Sequence, residues 1–111
     1  MKIAIIGSRN LTVNDLEKYV PAEADEIVSG GARGVDTCAK NYANKNGLKL
    51  TEFLPEYEKY GRYAPLSRNL QIIGYADEVI AFWDGASHGT EYVIDNCKKQ
   101  NKKVTVYMKN T

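Results

Sequence analysis

Apolar residues along the chain form short continuous runs separated by stretches with helical spacing. Continuous runs at residues 2–6, 26–29 and 78–83 are typical of strands that are covered on both faces of a sheet. A run with polar interruptions at residues 48–54 predicts a more exposed strand, and residues 104–107 predict a last one. Five strands are therefore expected.

The first two stretches between these runs predict two helices. One covers residues 13–20, with Thr12 as its N-cap and an end at Pro21. The other ends near Gly47, a C-terminal glycine signal. Its buried face follows the i, i+3, i+4, i+7, i+8 spacing at Val35, Cys38, Ala39, Tyr42 and Ala43.

Two further helices complete the pattern. Residues 66–76 predict a third helix with an apolar stripe at Leu66, Leu70 and Ile73, and a fourth helix places Val93, Ile94 and Cys97 inward. Alternating strands and helices predict an α/β fold, with helices on both faces of a mostly parallel five-stranded sheet.

Composition restricts the classes of function. The 111 residues predict one domain over residues 1–111, and a net charge of +1 gives no basic field for a nucleic-acid backbone. No apolar run is long enough to span a membrane. Cys38 and Cys97 belong to no metal-ligand spacing and are expected to be reduced core thiols, which indicates a cytoplasmic protein without a metal site.

A glycine-rich loop connects the second strand to the second helix. Its sequence is Ser29-Gly30-Gly31-Ala32-Arg33-Gly34. Amide groups at a helix N-terminus lack partners within the helix, and the helix dipole adds positive charge, so the loop is a candidate anion site. Arg33 would add a planar charged donor. The spacing matches neither the P-loop nor the dinucleotide motif, and a tight connection whose glycines serve only packing is the alternative.

Two other loops also follow strands directly. They are Gly7-Ser8-Arg9 and Asp84-Gly85-Ala86-Ser87-His88-Gly89-Thr90. In parallel sheets, ligands bind beyond the carboxyl ends of the strands, near the point where the strand order reverses. We therefore expect the three loops to line one crevice.

These loops resemble, in order along the chain, motifs of the SLOG superfamily and of its compact YspA-like (YpsA-related) proteins. The matching motifs cover nearly the whole chain: Gly7-Ser8-Arg9, Ser29 to Asp36, Arg68-Asn69, Trp83-Asp84-Gly85 and Ser87-His88-Gly89-Thr90. The superfamily also contains the DNA-processing protein DprA and the Lonely Guy (LOG) phosphoribohydrolases. The resemblance implies a Rossmann-like three-layer sandwich whose motif residues hold the phosphate and sugar of a nucleotide or nucleotide derivative.

The resemblance also assigns roles by position. It gives phosphate contacts to Gly30, Gly31, Gly34, Gly89 and Thr90, and it places Arg68 where LOG enzymes have an arginine implicated in catalysis. LOG enzymes have a glutamate three positions after the threonine, where this chain has Val93.

A valine cannot activate water, so hydrolysis of an N-glycosidic bond would need another carboxylate. Asp36, Asp84 and Glu91 are the candidates. Each also has a structural interpretation: Asp36 can stabilise a helix N-terminus, Asp84 can form a turn, and Glu91 can be an exposed helix residue. His88 is either a loop residue or a ligand contact suited to proton transfer.

Three functional hypotheses follow. The leading one is binding of a nucleoside monophosphate or an ADP-ribose-like molecule, with or without phosphoribohydrolase-like hydrolysis and without a further cofactor. The second is a sensor or sponge for a nucleotide signal, which performs no chemistry. The third is DprA-like binding of single-stranded nucleic acid. For the third, arginines would form a local basic crevice and tyrosines would stack on bases: Arg9, Arg33, Arg62, Arg68, Tyr57, Tyr60 and Tyr63.

The same tyrosines could instead cover the sheet edge or form a subunit contact. A homo-oligomer is expected from the resemblance. Its contact surface would be either the polar third strand, as an uncovered sheet edge, or the third helix.

Overall fold

Five parallel strands form a single sheet. The computed structural model describes residues 1–109. The strands are β1 (Lys2–Gly7), β2 (Glu26–Ser29), β3 (Lys49–Glu52), β4 (Glu78–Trp83) and β5 (Val104–Met108). Their order is β3-β2-β1-β4-β5, and each neighbouring pair is parallel. The predicted α/β class is confirmed, and the sheet is entirely rather than mostly parallel.

Helices cover both faces of this sheet. They are α1 (Val35–Lys45), the single turn α2 (Tyr57–Tyr60), α3 (Ala64–Tyr75) and α4 (His88–Lys99). Two 3₁₀ turns add residues Leu16–Lys18 and Gly61–Tyr63. The arrangement of helix layer, sheet and helix layer is the predicted Rossmann-like sandwich.

Alternate residues of the buried strands supply two separate core layers. In β1, Ile3 and Ile5 pack in the layer that contains α1, whereas Ala4 and Ile6 pack in the layer that contains α3 and α4. Residues of a strand point alternately to opposite faces, so a continuous apolar run is needed when both faces are covered. The predicted buried strands at residues 2–6, 26–29 and 78–83 are confirmed.

The helix predicted over residues 13–20 is wrong. Val13 and Leu16 are buried as expected, but only the 3₁₀ turn Leu16–Lys18 forms. The Val13 amide donates instead to Cys38 Sγ of α1, at 3.4 Å. Asn and Asp residues next to β-branched residues disfavour an α-helix, and packing against α1 fixes this segment in an irregular path.

The predicted apolar stripe of the third helix is partly wrong. Ile73 is buried, but Leu70 is 40% exposed and the buried face of α3 includes the charged Arg68. The prediction used apolar residues alone and therefore could not include an arginine. In the structure, Arg68 is buried because it contacts the segments that follow β2 and β3.

The other predicted elements agree with the structure. The second and fourth predicted helices correspond to α1 and α4, and β3 is the polar edge strand that was expected. Cys97 is buried in α4, and burial raises the pKa of its thiol to about 11. Among residues 1–109, no helix is long and apolar enough to cross a membrane.

Candidate functional site

A cavity of about 400 Å³ opens where the strand order reverses. After β3 the chain crosses to the other side of β1 and enters β4, so β1 and β4 lie side by side at the switch point. The amide of Ser8 donates to Phe82 O at 3.2 Å and keeps the ends of these two strands together. Open α/β sheets bind ligands at this position.

The structure brings most of the predicted site residues to this cavity. Its walls include Gly7, Ser8, Arg9, Gly30, Ala32, Asp36, Arg68, Asn69, Asp84, Ser87, Gly89 and Thr90. All three predicted loops and the Arg68-Asn69 segment contribute, so the expected convergence of the loops is observed.

The remaining predicted residues lie outside the cavity wall: Ser29, Gly31, Arg33, Gly34, Trp83, Gly85, His88 and Glu91. Arg33, His88 and Glu91 are exposed, whereas Ser29 is fully buried. Trp83 supports the loop between β4 and α4, because its Nε1 donates to Ser87 O at 3.0 Å.

Several lining residues were not predicted as site residues. They are Ile6, Asn10, Pro65, Leu66, Ile72 and Val93. Most are apolar residues of β1, α3 and α4, and their apolar spacing identified core positions without showing which would border a cavity. Asn10 directly follows a predicted loop and could have been included on that ground.

The loop between β4 and α4 is shaped by the carboxylate of Asp84. Its Oδ1 accepts hydrogen bonds from the amides of Ala86 at 2.9 Å and Ser87 at 2.8 Å. These two hydrogen bonds favour the ionised carboxylate and keep the pKa of Asp84 below its ordinary value. The turn brings Ser87 to the N-cap position of α4.

The N-terminus of α4 provides hydrogen-bond donors at the cavity. The first amide bonded within the helix is that of Glu91, which donates to Ser87 O at 3.2 Å. The amides of His88, Gly89 and Thr90 precede it and have no partner among residues 1–109. Gly89 and Thr90 line the cavity, so its wall combines unpaired amides with the positive end of a helix dipole.

In the glycine-rich loop before α1, two backbone amides already donate hydrogen bonds within the protein. The Gly31 amide donates to Ser29 Oγ at 3.4 Å, and the Ala32 amide donates to Asp36 Oδ2 at 3.1 Å. Gly34 has a φ of 74° and packs against the backbone of Arg9, where a β-carbon would collide. The amides of Gly31 and Ala32 therefore already have partners within the protein, while Gly30 and Ala32 also form part of the cavity wall.

Arg68 is buried at the floor of the cavity and reaches across to the loops. Its Nη1 donates to Gly30 O at 2.5 Å and to Phe53 O at 3.4 Å, and its Nε donates to Asn69 Oδ1 at 2.8 Å. Among residues 1–109, Nη2 makes no hydrogen bond and is the guanidinium nitrogen available to a ligand. Burial lowers the pKa of Arg68, and the nearby Asp36 carboxylate opposes that effect.

Asp36 is the second carboxylate of the cavity, and its environment differs from that of Asp84. It is only 8% exposed, and burial raises the pKa of its carboxyl above the ordinary value. The Ala32 amide and the charge of Arg68 oppose this rise. The cavity thus contains two carboxyl groups whose pKa values are shifted in opposite directions.

Ser8 contributes a buried hydroxyl without a partner. Its side chain is 2% exposed, and Oγ makes no hydrogen bond among the described residues. It nevertheless lies close enough to Asp84 to contribute to the lowered pKa of that carboxylate. A buried hydroxyl without a partner is costly, so this group is suited to hydrogen bonding with a bound molecule.

The chemistry of the cavity suits a ligand with both anionic and hydroxyl groups. Arg9, Arg68 and the α4 N-terminus favour negative charge, while Asp36 and Asp84 supply acceptors. No cluster of three or more His, Cys, Asp or Glu side chains within residues 1–109 is placed to hold a metal ion. No protein-family model, curated protein or solved structure matches the chain.

Proposed function

We propose that the protein binds the phosphate and sugar of a nucleotide or nucleotide derivative in the cavity between β1 and β4. The observation that carries this proposal is that the α4 N-terminus and Arg68, whose Nη2 has no hydrogen-bond partner within residues 1–109, line one cavity at the switch point. A phosphate accepts hydrogen bonds from helix amides and from an arginine at the same time.

Cavity size and polarity support a ligand of nucleotide size. A volume of about 400 Å³ lies within the usual range for small-molecule sites, roughly 300–1,000 Å³. Apolar residues form one part of the wall and are suited to a base: Ile6, Pro65, Leu66, Ile72 and Val93. Nucleoside monophosphates and ADP-ribose-like molecules carry the required anionic, hydroxyl and apolar groups.

Binding of single-stranded nucleic acid is the weaker alternative. Of the four arginines considered for a basic crevice, only Arg9 and Arg68 line the cavity, and two carboxylates accompany them. Tyr57 and Tyr63 are exposed and lie outside the cavity wall. The separation of these groups favours a small anionic ligand over a strand.

A specific observation favours hydrolysis of an N-glycosidic bond as a second candidate function. Two carboxyl groups whose environments shift their pKa values apart are typical of an acid and base pair. Asp36 and Asp84 both line the cavity. In this reaction one carboxyl group would donate a proton to the departing base and the other would accept a proton from the attacking water, and the opposite directions of their pKa shifts favour Asp36 for the first role and Asp84 for the second. Without this step, the protein would be a sensor or sponge.

The test compares each nucleoside 5′-monophosphate with its nucleoside by isothermal titration calorimetry. We expect Arg68→Ala to weaken monophosphate binding about tenfold or more, because a charge-assisted hydrogen bond is lost, and to change nucleoside binding little. Arg33→Ala removes the same charge from an exposed position outside the cavity and is expected to change neither. Equal losses for both ligands in Arg68→Ala would contradict the phosphate assignment.

A second variant allows for the structural role of Arg68. Thr90→Val replaces the hydroxyl, which lies 3.3 Å from Ser87 Oγ, with a methyl group of similar size. We expect it to weaken monophosphate binding selectively, because this hydroxyl at the N-terminus of α4 is a further donor to phosphate. Chromatography of the same mixtures over time separates the two candidates, since release of free base indicates hydrolysis and intact retained ligand indicates binding alone.

A further inference from the structure

Only one of the two carboxylate oxygens of Asp84 accepts hydrogen bonds from the described residues of the protein. Both hydrogen bonds from the loop amides end on Oδ1. Within residues 1–109, Oδ2 accepts no hydrogen bond and belongs to no ion pair. Because Asp84 lines the cavity, Oδ2 is an acceptor that remains available to a bound molecule.

An unpaired donor lies next to this acceptor. Ser8 Oγ is buried and has no hydrogen-bond partner in the described part of the chain, and Ser8 lines the same cavity directly after the adjacent strand. The Ser8 and Asn10 side chains both lie near Asp84 as donors that lower the pKa of its carboxylate, but neither reaches hydrogen-bonding geometry among residues 1–109. The switch point therefore presents one hydroxyl and one carboxylate oxygen side by side.

We infer that Asp84 and Ser8 form a subsite for a ribose hydroxyl, and that the ligand class is ribonucleotide rather than deoxyribonucleotide. A sugar hydroxyl donates one hydrogen bond and accepts others, so it can donate to Asp84 Oδ2 and accept from Ser8 Oγ. An ammonium group would also satisfy the carboxylate, but Arg9, Arg68 and the positive end of α4 disfavour a cation in this cavity.

The inference rests on the proposed function, since a phosphate held at the α4 N-terminus anchors the sugar within reach of the preceding loop. It adds selectivity that phosphate binding alone does not supply. A site built to hydrogen-bond a hydroxyl rejects an analogue that lacks it, because the protein groups are then left unpaired.

The test measures affinities for ribonucleoside 5′-monophosphates and their 2′-deoxy and 3′-deoxy analogues by calorimetry. We expect wild type to bind at least one deoxy analogue about tenfold or more weakly than the ribonucleotide. In Asp84→Asn, the Asn Oδ1 can still accept from the amides of Ala86 and Ser87, while an amide nitrogen replaces the free oxygen. In that variant, the ratio of the affinity for the ribonucleotide to the affinity for its deoxy analogue should fall to within about threefold.

One control variant and a second variant of the subsite make the outcome specific. Asp95→Asn makes the same change of charge at an exposed position of α4 outside the cavity and should preserve the wild-type ratio. Ser8→Ala should reduce the ratio as Asp84→Asn does. Equal affinity of wild type for the ribonucleotide and both deoxy analogues, or an unchanged ratio in Asp84→Asn, would overturn this inference alone. Failure of every monophosphate to bind would overturn the proposed function as well.

Discussion

Arg68 connects the loops that surround the cavity. Its guanidinium donates to the carbonyl groups of Gly30 and Phe53, which follow β2 and β3. Arg68 lines the cavity, and its Nη2 makes no hydrogen bond to the part of the chain that the structure describes. Pairing donors lowers the cost of burying a guanidinium, so these carbonyl contacts help a charged side chain to lie in the wall of the cavity.

Gly30 is required by this arrangement. A β-carbon at position 30 would collide with the Arg68 guanidinium and approach Asp36 Oδ2 to 3.1 Å. We expect Gly30→Ala to destabilise the fold by about 1–3 kcal/mol through overpacking and to displace Arg68 from the ligand. Urea unfolding measures the first effect, and titration with nucleoside monophosphates measures the second.

Gly74→Ala is the matched control for this prediction. Gly74 lies in α3, and no atom of the described residues beyond its chain neighbours and the nearby helix backbone lies within 4 Å of an added β-carbon, so alanine should stabilise the helix by about 0.5–1 kcal/mol. A destabilised Gly74→Ala together with a neutral Gly30→Ala would contradict the described packing.

The resemblance predicted Arg68 as a site residue, and the structure places it in the cavity wall, but its burial could not be read from helical spacing. Apolar periodicity gives no signal for a charged residue on a buried face. Arg33 is the opposite case. Its position in a glycine-rich loop predicted a phosphate contact, but its side chain is exposed and lies outside the cavity wall. Whether a loop residue faces the cavity or solvent depends on backbone dihedral angles, such as the φ of 74° at Gly34, that the sequence does not specify.

At the level of elements, Glu26 joins β2 to its neighbours far from the cavity. Its Oε2 accepts hydrogen bonds from Tyr75 OH of α3 at 2.5 Å and from Thr51 Oγ1 of β3 at 2.7 Å. Lys49 Nζ lies 3.7 Å from Oε1. Burial alone would raise the pKa of Glu26, but these partners outweigh it and lower the pKa below the ordinary value.

This cluster predicts a pH-dependent contribution to stability. Since the pKa of Glu26 is lower in the folded chain, its stabilisation is fully present above the unfolded-state pKa of 4.5 and is lost as pH falls through the folded-state value. Glu26→Gln should therefore cost about 1–2 kcal/mol in urea unfolding at pH 7 and less at pH 3. Glu17→Gln, at an exposed position, should show no such difference. A constant cost of Glu26→Gln across this range would contradict the described cluster.

Elements with a clear period were predictable, and those fixed by tertiary contacts were not. β1, β4, α1 and α4 follow from continuous or helical apolar spacing. The segment at residues 13–20 has the same spacing, but the Val13 amide bonds to Cys38 and only a 3₁₀ turn forms. Its two buried residues were predicted correctly, whereas its backbone depends on a contact with α1 that no local pattern specifies.

For the whole molecule, topology explains why separate motifs form one cavity. The order β3-β2-β1-β4-β5 places the ends of β1 and β4 together, although their sequences are far apart. Strand and helix alternation predicted that loops would gather at one edge of the sheet. It could not predict which donors would remain free. Internal hydrogen bonds occupy two amides of the glycine-rich loop, whereas the first three amides of α4 have no partner within the described range 1–109.

The most direct test of the central claim is a ¹⁵N–¹H correlation spectrum of the protein, recorded during titration with nucleoside 5′-monophosphates and with the matched nucleosides. If the α4 N-terminus holds phosphate, the amide signals of Gly89 and Thr90 shift with the monophosphate and much less with the nucleoside. The amide of Gly47, at the far end of α1, stays in place. Binding that shifts signals elsewhere while those of Gly89 and Thr90 remain fixed, or no binding of any monophosphate, would contradict the proposed site.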